Sequence, residues 1–420
     1  MQYRVVVTGV GVVAPGGVGR EAFWKTLVGG VSTSDKTPVD RPERFRSQIA
    51  ASVADWKPAT YGFTEQESQQ LDRHIQFALV AAGEAWADAG LDLTLPTSQT
   101  LGVVAGTAIG SSSLLEREYF VVSRQATDFN VDPELASPYL FDAFNPSYLS
   151  ASIASRFGAT GPVQTISSGC TAGIDAIAQA FEWIASGDAE VVVAGASEAG
   201  ICPINIASFD VIKATSSRND DPKKASRPFD KKRDGFVLGE GSAFLILERF
   251  EHAQTRQAHI YGEITGYGSA MNAYHMTGLP RDGHDMVQAI TVALENAGVA
   301  PSAIHYINAH GSSTLQNDVH ETSAFKAVWK EGAYHIPISS IKSMIGHSLG
   351  AIGAIELAAC ALALDRGIVP PTINYENPDP TCDLDYIPNQ SRCLPIRTLI
   401  STASGFGGFQ SAMVMSKVEV

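Results

Sequence analysis

No apolar run in this sequence approaches the ~20 residues that a membrane-spanning helix needs. The opening MQYRVVVTGVGVV goes directly into a strand pattern and is too short in apolar residues for a secretory signal. Cysteine is scarce: five residues, an odd number with no CxxC pair, which argues against a disulfide framework and a zinc site. No histidine pair stands at i,i+4 with a matching carboxylate, so metal binding is not expected. Positive charge is short as well. Thirty Lys and Arg against 44 Asp and Glu leave a net charge of −14, which excludes nucleic acid as a general partner because phosphate binding calls for a basic surface. The expectation is a cytoplasmic protein with neither a membrane nor a nucleic acid as partner.

What is present is a chain of 420 residues, 45% hydrophobic and rich in glycine (38 residues). That length exceeds one small core and implies two linked units. Their order repeats. Glu263–Gly268 (EITGYG) echoes Val6–Gly11 (VVTGVG), and the helical pattern ending ALENAG at Gly298 echoes AAGEAWADAG ending at Gly90. The strand Tyr306–Ala309 runs into His310-Gly311 as Val103–Ala105 runs into Gly106-Thr107. GHSLGAIGAIELA mirrors GCTAGIDAIAQA, with Gly350 matching Gly173. The shared order implies a duplicated α/β unit, divided as residues 1–255 and 256–420. Glycines are expected to close the first strand at Gly9-Val10-Gly11. A long excursion, Leu114–Leu149, has no counterpart in the second half and carries Tyr119, Phe120, Phe129, Tyr139, Phe141, Phe144 and Tyr148. Left in water it would form a large apolar patch, which marks an interface or a ligand channel.

The chemistry centres on QTISSGCTAGIDAIA, residues 164–178. A strand pattern ends in small residues, and Cys170 stands at the start of a helix, as at a nucleophile elbow. A lone cysteine also reads as a buried structural residue. As a nucleophile at a helix N-terminus, its thiol would be depressed from about 8.5 toward roughly 3.5–7.5, and the free N–H groups could hold an oxyanion. If the halves pack about a pseudo-twofold axis, Cys170 corresponds to His347, with His310 at the end of an adjacent strand. A thiolate that accepts an acyl group and two imidazoles that stabilise an enolate suit carbon–carbon bond formation between thioesters, with Lys342 governing the histidines' protonation. Asp318 and Glu321 are read as local supporting groups.

These residues lie in long motifs that resemble the β-ketoacyl-acyl-carrier-protein synthases of the thiolase-like fold, a layered α-β-α-β-α arrangement of duplicated α/β halves. The motifs are SSGCTAG (167–173), RNDDPKKASRPFDKKRDGFVLGEG (218–241), NAYHMTG (272–278), INAHGSSTLQNDVHET (307–322), SSIKSMIGHSLGAIGAIE (339–356), PPT (370–372) and SGFGGFQSAMV (404–414). Within that family the chain looks most like the catalytic ketosynthase subunit of bacterial type II polyketide synthases. The resemblance implies Cys170 as nucleophile, His310 and His347 as the enolate-stabilising pair and Lys342 as the supporting cation. It further implies Phe406 of GFGG as the gating and oxyanion residue, Phe229 of RPFD as an aromatic near the decarboxylation site, and Thr314 as a substrate contact. Where the family pattern is HGTGT this chain has HGSST, with Ser313 in the place of glycine. The resemblance implies no bound cofactor, a phosphopantetheine arm delivered by an acyl carrier protein, and a homologous chain-length-factor partner in a heterodimer. In that non-catalytic partner the cysteine is typically glutamine. A fatty-acid-elongating homodimer and a silent scaffold subunit are the alternatives. An acidic carrier requires a local basic patch, and Lys223, Lys224, Arg227, Lys231, Lys232 and Arg233 form the densest basic run.

Overall fold

The structure, a computed structural model, describes residues 3–91, 100–128 and 130–418. In the first half, strand β1 (Val5–Ala14) leads to helix α1 (Arg73–Asp88), then β2 (Leu101–Gly106), β3 (Val163–Ile166), α2 (Ala172–Ser186), β4 (Val191–Glu198) and β5 (Gly241–Arg249). The second half supplies β6 (Gly262–Met271), α3 (His284–Ala297), β7 (Tyr306–Asn308), α4 (Leu315–Trp329), β8 (Ile338–Ser339), α5 (Ile352–Arg366), β9 (Thr398–Gly405) and β10 (Phe409–Ser416). Strand order is β3-β2-β4-β5-β1 in one half and β8-β7-β9-β10-β6 in the other. In each, the first three strands are parallel and the last two join antiparallel. The two runs meet where Val5–Val7 of β1 pair with Gly262–Ile264 of β6. The repeated motif order in the sequence is thus a repeated topology.

Helices α2 and α5 pack against each other between the sheets, α1 covers β1 and β5, and α3 covers β6 and β10. This gives the five layers of the thiolase-like fold. Every residue of α5 from Ile352 to Leu364 is buried, as expected of a helix that is apolar all round. Among the described residues no helix is long and apolar enough to cross a membrane.

The glycines of the repeated TGxG segments do not close the strands. Strand β1 runs through Gly9 and Gly11 to Ala14. A Cβ at Gly9 would lie 2.1 Å from the Ala85 carbonyl oxygen, and one at Gly11 1.9 Å from that of Ala81. Gly266 and Gly268 stand likewise 2.2 and 2.3 Å from the carbonyls of Ala293 and Ala289 in α3. Each pair lets a helix backbone press directly on a strand, a demand set by distant residues rather than by local chain reversal.

The excursion folds as short helices at Ser112–Val122, Tyr139–Phe144 and Tyr148–Phe157. Tyr139 and Tyr148 are half-buried, Tyr148 against the core, but the other described aromatics face water. Phe141 is 74% exposed and Phe144 66%, and Tyr119 and Phe120 are also exposed. Phe129 lies outside the described residues. Beside the excursion, β3 pairs only with β2 among the described residues, which leaves its other edge without a described partner strand.

Candidate active site

The turn after β3 delivers Cys170. Gly169 takes a positive φ of 67°, residues Gly169–Thr171 form a single 3-10 turn, and α2 begins at Ala172. The second half repeats this device. Leu349, with φ 47°, opens the turn Leu349–Ala351 ahead of α5. The two turns, two fifteen-residue helices and two αL glycine ends (Gly187 and Gly367) are in register. Cys170 therefore corresponds to Gly350, and Gly173 to Gly353. The expected pairing of Cys170 with His347 is off by three residues, because the motif match aligned the wrong pair of glycines. A Cβ on Gly173 would stand 2.4 Å from the Ala354 nitrogen, and the two helices cross at this point.

His347 nevertheless reaches the same cavity, from two residues before that turn. It follows the short helix Lys342–Ile345 and Gly346 (φ 70°). Its Nδ1 accepts the Leu349 N–H at 3.1 Å, which leaves its proton on Nε2. His310 follows β7. Glu321 of α4 accepts the N–H groups of His310 (2.7 Å) and Gly311 (2.8 Å) and the Thr402 hydroxyl (2.7 Å), and so fixes the turn. The two imidazole centroids are 5.2 Å apart, edge to face at 77°. Among the described residues His310 Nδ1 has no hydrogen-bond partner. Cys170, His310 and His347 line one cavity of about 230 Å³, with Phe236, Leu349, Thr314 and Phe406 in its wall.

Lys342 does not line the cavity. It lies buried behind it, where Nζ donates to the His310 carbonyl at 2.6 Å and to Glu356. Burial, and then this ammonium, hold both histidines well below the ordinary imidazole range, so both are neutral. Burial pushes Glu356 up to about 7 against the pull of Lys342, and Glu321 also to about 7.

The thiol departs from the sequence expectation. Burial pushes Cys170 up to about 11, opposed by the Lys342 charge and by the Phe406 N–H, which points at the sulfur. Desolvation of a thiolate in a closed pocket outweighs the helix terminus. Phe406 sits in the tight connection between β9 and β10, and its ring is partly exposed at the cavity mouth, 6.5 Å from that of Phe209.

Phe229 is not at the cavity. It is fully buried at φ 65°, donates its N–H to Asp318 at 2.7 Å, and stacks on Tyr386 at 3.8 Å. The aromatic in the wall beside His347 is Phe236, whose ring meets the imidazole edge-on at 5.2 Å. Its signal was GFVLGEG, in the same motif seven residues further on. Thr314 caps α4 by accepting the Asn317 N–H at 3.3 Å and lies 3.0 Å from the Ser312 hydroxyl. Ser313 keeps the left-handed conformation (φ 67°) that glycine favours, and its hydroxyl accepts the Arg227 N–H at 2.9 Å. The basic run is not one patch. Arg227 and Arg233 are buried, Arg233 against Asp318 and Asp379, while Lys223 pairs with Asp35 and Lys224 with Glu376. Only the four lysines face water.

Comparison with known proteins follows the same lines. The beta-ketoacyl synthase N-terminal domain matches residues 2–253, and the beta-ketoacyl synthase C-terminal domain matches residues 261–376. A putative polyketide beta-ketoacyl synthase 1 from Streptomyces halstedii is 53% identical over 419 residues, 100% of this chain and 99% of that protein. The tetracenomycin polyketide synthase ketoacyl synthase alpha subunit of Streptomyces glaucescens is 51% identical, over 99% of this chain and 97% of its own. The 3-oxoacyl-[acyl-carrier-protein] synthase 2 of Coxiella burnetii is 39% identical, over 99% of both chains. Among solved structures, a type II PKS acyl-carrier protein in complex with its ketosynthase bound to the hexaketide superposes with TM-score 0.93 at 43% identity, covering 100% of both chains. The ishigamide ketosynthase/chain length factor superposes with TM-score 0.90 at 31% identity, again covering 100% of both.

Proposed function

The chain belongs to the beta-ketoacyl synthase family, and on that premise we propose that it is the ketosynthase subunit of a type II polyketide synthase, with Cys170 as its acyl carrier. It catalyses decarboxylative condensation of a malonyl thioester with an acyl chain. The observation that carries the residue assignment is the convergence of Cys170, His310 and His347 on one cavity, with Phe406 in its wall.

In this reading the acyl group arrives on the phosphopantetheine arm of an acyl carrier protein. The Cys170 sulfur attacks its thioester carbonyl, and the carrier thiol leaves. The transient oxyanion sits between the backbone N–H groups of Cys170 and Phe406. Because burial raises the free thiol to about 11, its proton leaves as attack proceeds, and neutral imidazole is the base at hand. A malonyl-carrier then enters and loses CO2. The electron pair left behind is held as an enolate by donors from His310 and His347, each worth roughly 3–4 kcal/mol when aimed at developing charge. Neutral rings suit this task, since the Nε2–H of His347 is fixed by the Leu349 N–H on its other nitrogen. The enolate carbon attacks the acyl carbonyl on Cys170, the C–S bond breaks, and the β-ketoacyl chain departs on the carrier.

Several finer assignments belong to the same proposal. Thr314 at the mouth contacts the incoming arm, and Phe406 gates it. The working form is a heterodimer with a homologous chain-length factor. Support comes from the exposed Phe141 and Phe144 and the edge of β3 without a described partner strand, and from the ketosynthase/chain length factor pair among the structural relatives. The polyketide assignment over a fatty-acid-type homodimer rests on identities of 53% and 51% against 39%. The division at residues 255 and 256 is supported by the repeated strand order. A cytoplasmic site accords with five free cysteines.

The test is intact-mass spectrometry of the protein after reaction with acyl-loaded carrier. The wild type should gain the acyl mass on the Cys170 peptide, and Cys170→Ala should gain none and elongate nothing. Elongation by Cys170→Ala would overturn the assignment.

A further inference from the structure

The two backbone donors of the proposed oxyanion site come from opposite halves of the molecule. The Cys170 N–H belongs to the turn before α2, and the Phe406 N–H to the hairpin of β9 and β10. Something must hold those segments in register across the interface between the halves. The side chain that spans them is Asp175, in the first turn of α2.

Its two carboxylate oxygens divide the task. Oδ2 accepts the hydroxyls of Ser168 and Thr171 (the latter at 2.7 Å), the residues that bracket the Gly169-Cys170 pair. The Thr171 hydroxyl is also 3.0 Å from the Ser168 carbonyl, so the whole turn is laced to this oxygen. Oδ1 accepts from the second half alone, the Tyr267 hydroxyl of β6 at 2.9 Å and the Ser411 hydroxyl of β10 at 2.6 Å. Ser411 lies five residues beyond Phe406 on the strand that leaves the hairpin. Asp175 is not at the catalytic cavity. It forms the wall of a separate groove behind the nucleophile turn, with Ser168, Tyr267 and Ser411.

We propose that Asp175 is a positioning residue for acyl transfer: it sets the spacing of the Cys170 sulfur and the Phe406 N–H by tying the nucleophile turn to β6 and β10. A carboxylate suits the role better than an amide, since four hydroxyl donors converge on two oxygens with no donor of its own to place. The histidines are held by a separate set of groups, Glu321, Lys342 and the Leu349 N–H. Loss of Asp175 therefore acts on acylation of Cys170 more than on malonyl decarboxylation. A general structural role would lower both together.

The inference rests on the condensing chemistry proposed above, and its test separates the two. In the complex with its partner subunit, single-turnover acylation of Cys170 and CO2 release from malonyl-carrier are measured on the same preparation. In Asp175→Ala the ratio of acylation to decarboxylation should fall tenfold or more. Tyr267→Phe and Ser411→Ala each remove one donor from the second half and leave the nucleophile turn untouched. Each should lower the same ratio by a smaller factor, and they carry the test if Asp175→Ala does not fold. Asp175→Asn, which keeps one acceptor oxygen, should recover part of the loss. A ratio unchanged from wild type in the folded variants would overturn the role of Asp175. A wild-type complex that never acylates Cys170 would instead overturn the proposed function.

Discussion

Replacing Lys342 with Met together with Glu356→Gln should bring an acid limb into the pH profile of decarboxylation that the wild type lacks. Lys342 is buried behind the imidazoles, with Nζ on the His310 carbonyl and on Glu356. Burial first, and this charge next, hold His310 and His347 well below 6.5. A depressed imidazole pKa keeps the ring neutral as pH falls, so the wild type should show no imidazole limb at about pH 6, where an ordinary histidine titrates; Glu321, at about 7, titrates in both enzymes and cancels in the comparison. A unit charge roughly 5–6 Å away in an effective dielectric of about 20 is worth about 3 kcal/mol, or about two pKa units. Without it both histidines move up toward 6.5, and the rate should drop about tenfold per pH unit below the new value. Glu356 must be changed as well, for two reasons. Removing one partner of a buried ion pair costs about 3–5 kcal/mol through the charge left behind. Glu356, already pushed up to about 7, would also titrate in the same window. The assay is CO2 release from malonyl-carrier between about pH 5.5 and 8, with thermal melting as the control for folding. A folded double variant whose profile superposes on the wild type's would refute the argument that the Lys342 charge adds to burial in keeping the pair neutral.

Three further outcomes follow from packing and exposure. Gly173→Val places a side chain where Cβ alone would lie 2.4 Å from the backbone nitrogen of Ala354. It should cost about 1–3 kcal/mol or more, read as a lower melting temperature, whereas Gly83→Ala, with nothing within 4 Å of the new Cβ, should stabilise α1 by roughly 0.5–1 kcal/mol. Phe141→Ser with Phe144→Ser should weaken binding to the partner subunit about tenfold or more, the scale of aromatic interface anchors. Sedimentation of the mixed subunits would read this, and undiminished affinity would remove the excursion from the interface.

The residues of the candidate site were legible because each sits in a short stretch whose neighbours serve it locally. Small residues make the turn at Cys170, His310 follows a strand, and Gly346 frees the chain before His347. The duplicated architecture was legible for a related reason, since the same order of strand, helix and strand patterns recurs. Other features were decided at long range. Gly9 and Gly11 read locally as strand breakers, yet their cause is the backbone of a distant helix, at Ala85 and Ala81. The alignment of Cys170 with Gly350 rather than His347 is a matter of helix register, visible only when both turns are in place. Phe229 and Phe236 share one motif, and only packing sends the first against Tyr386 and the second against His347. Arg233 reads as surface charge and Arg227, inside RPFD, as either surface or structural, and buried carboxylates draw both inside. The Cys170 thiol was expected low from its helix terminus, and burial by both halves raises it. Local sequence fixes which group stands at a turn. Desolvation, register and shared hydrogen bonds such as those of Asp175 arise where two distant segments meet, and a linear pattern does not contain the distance between them.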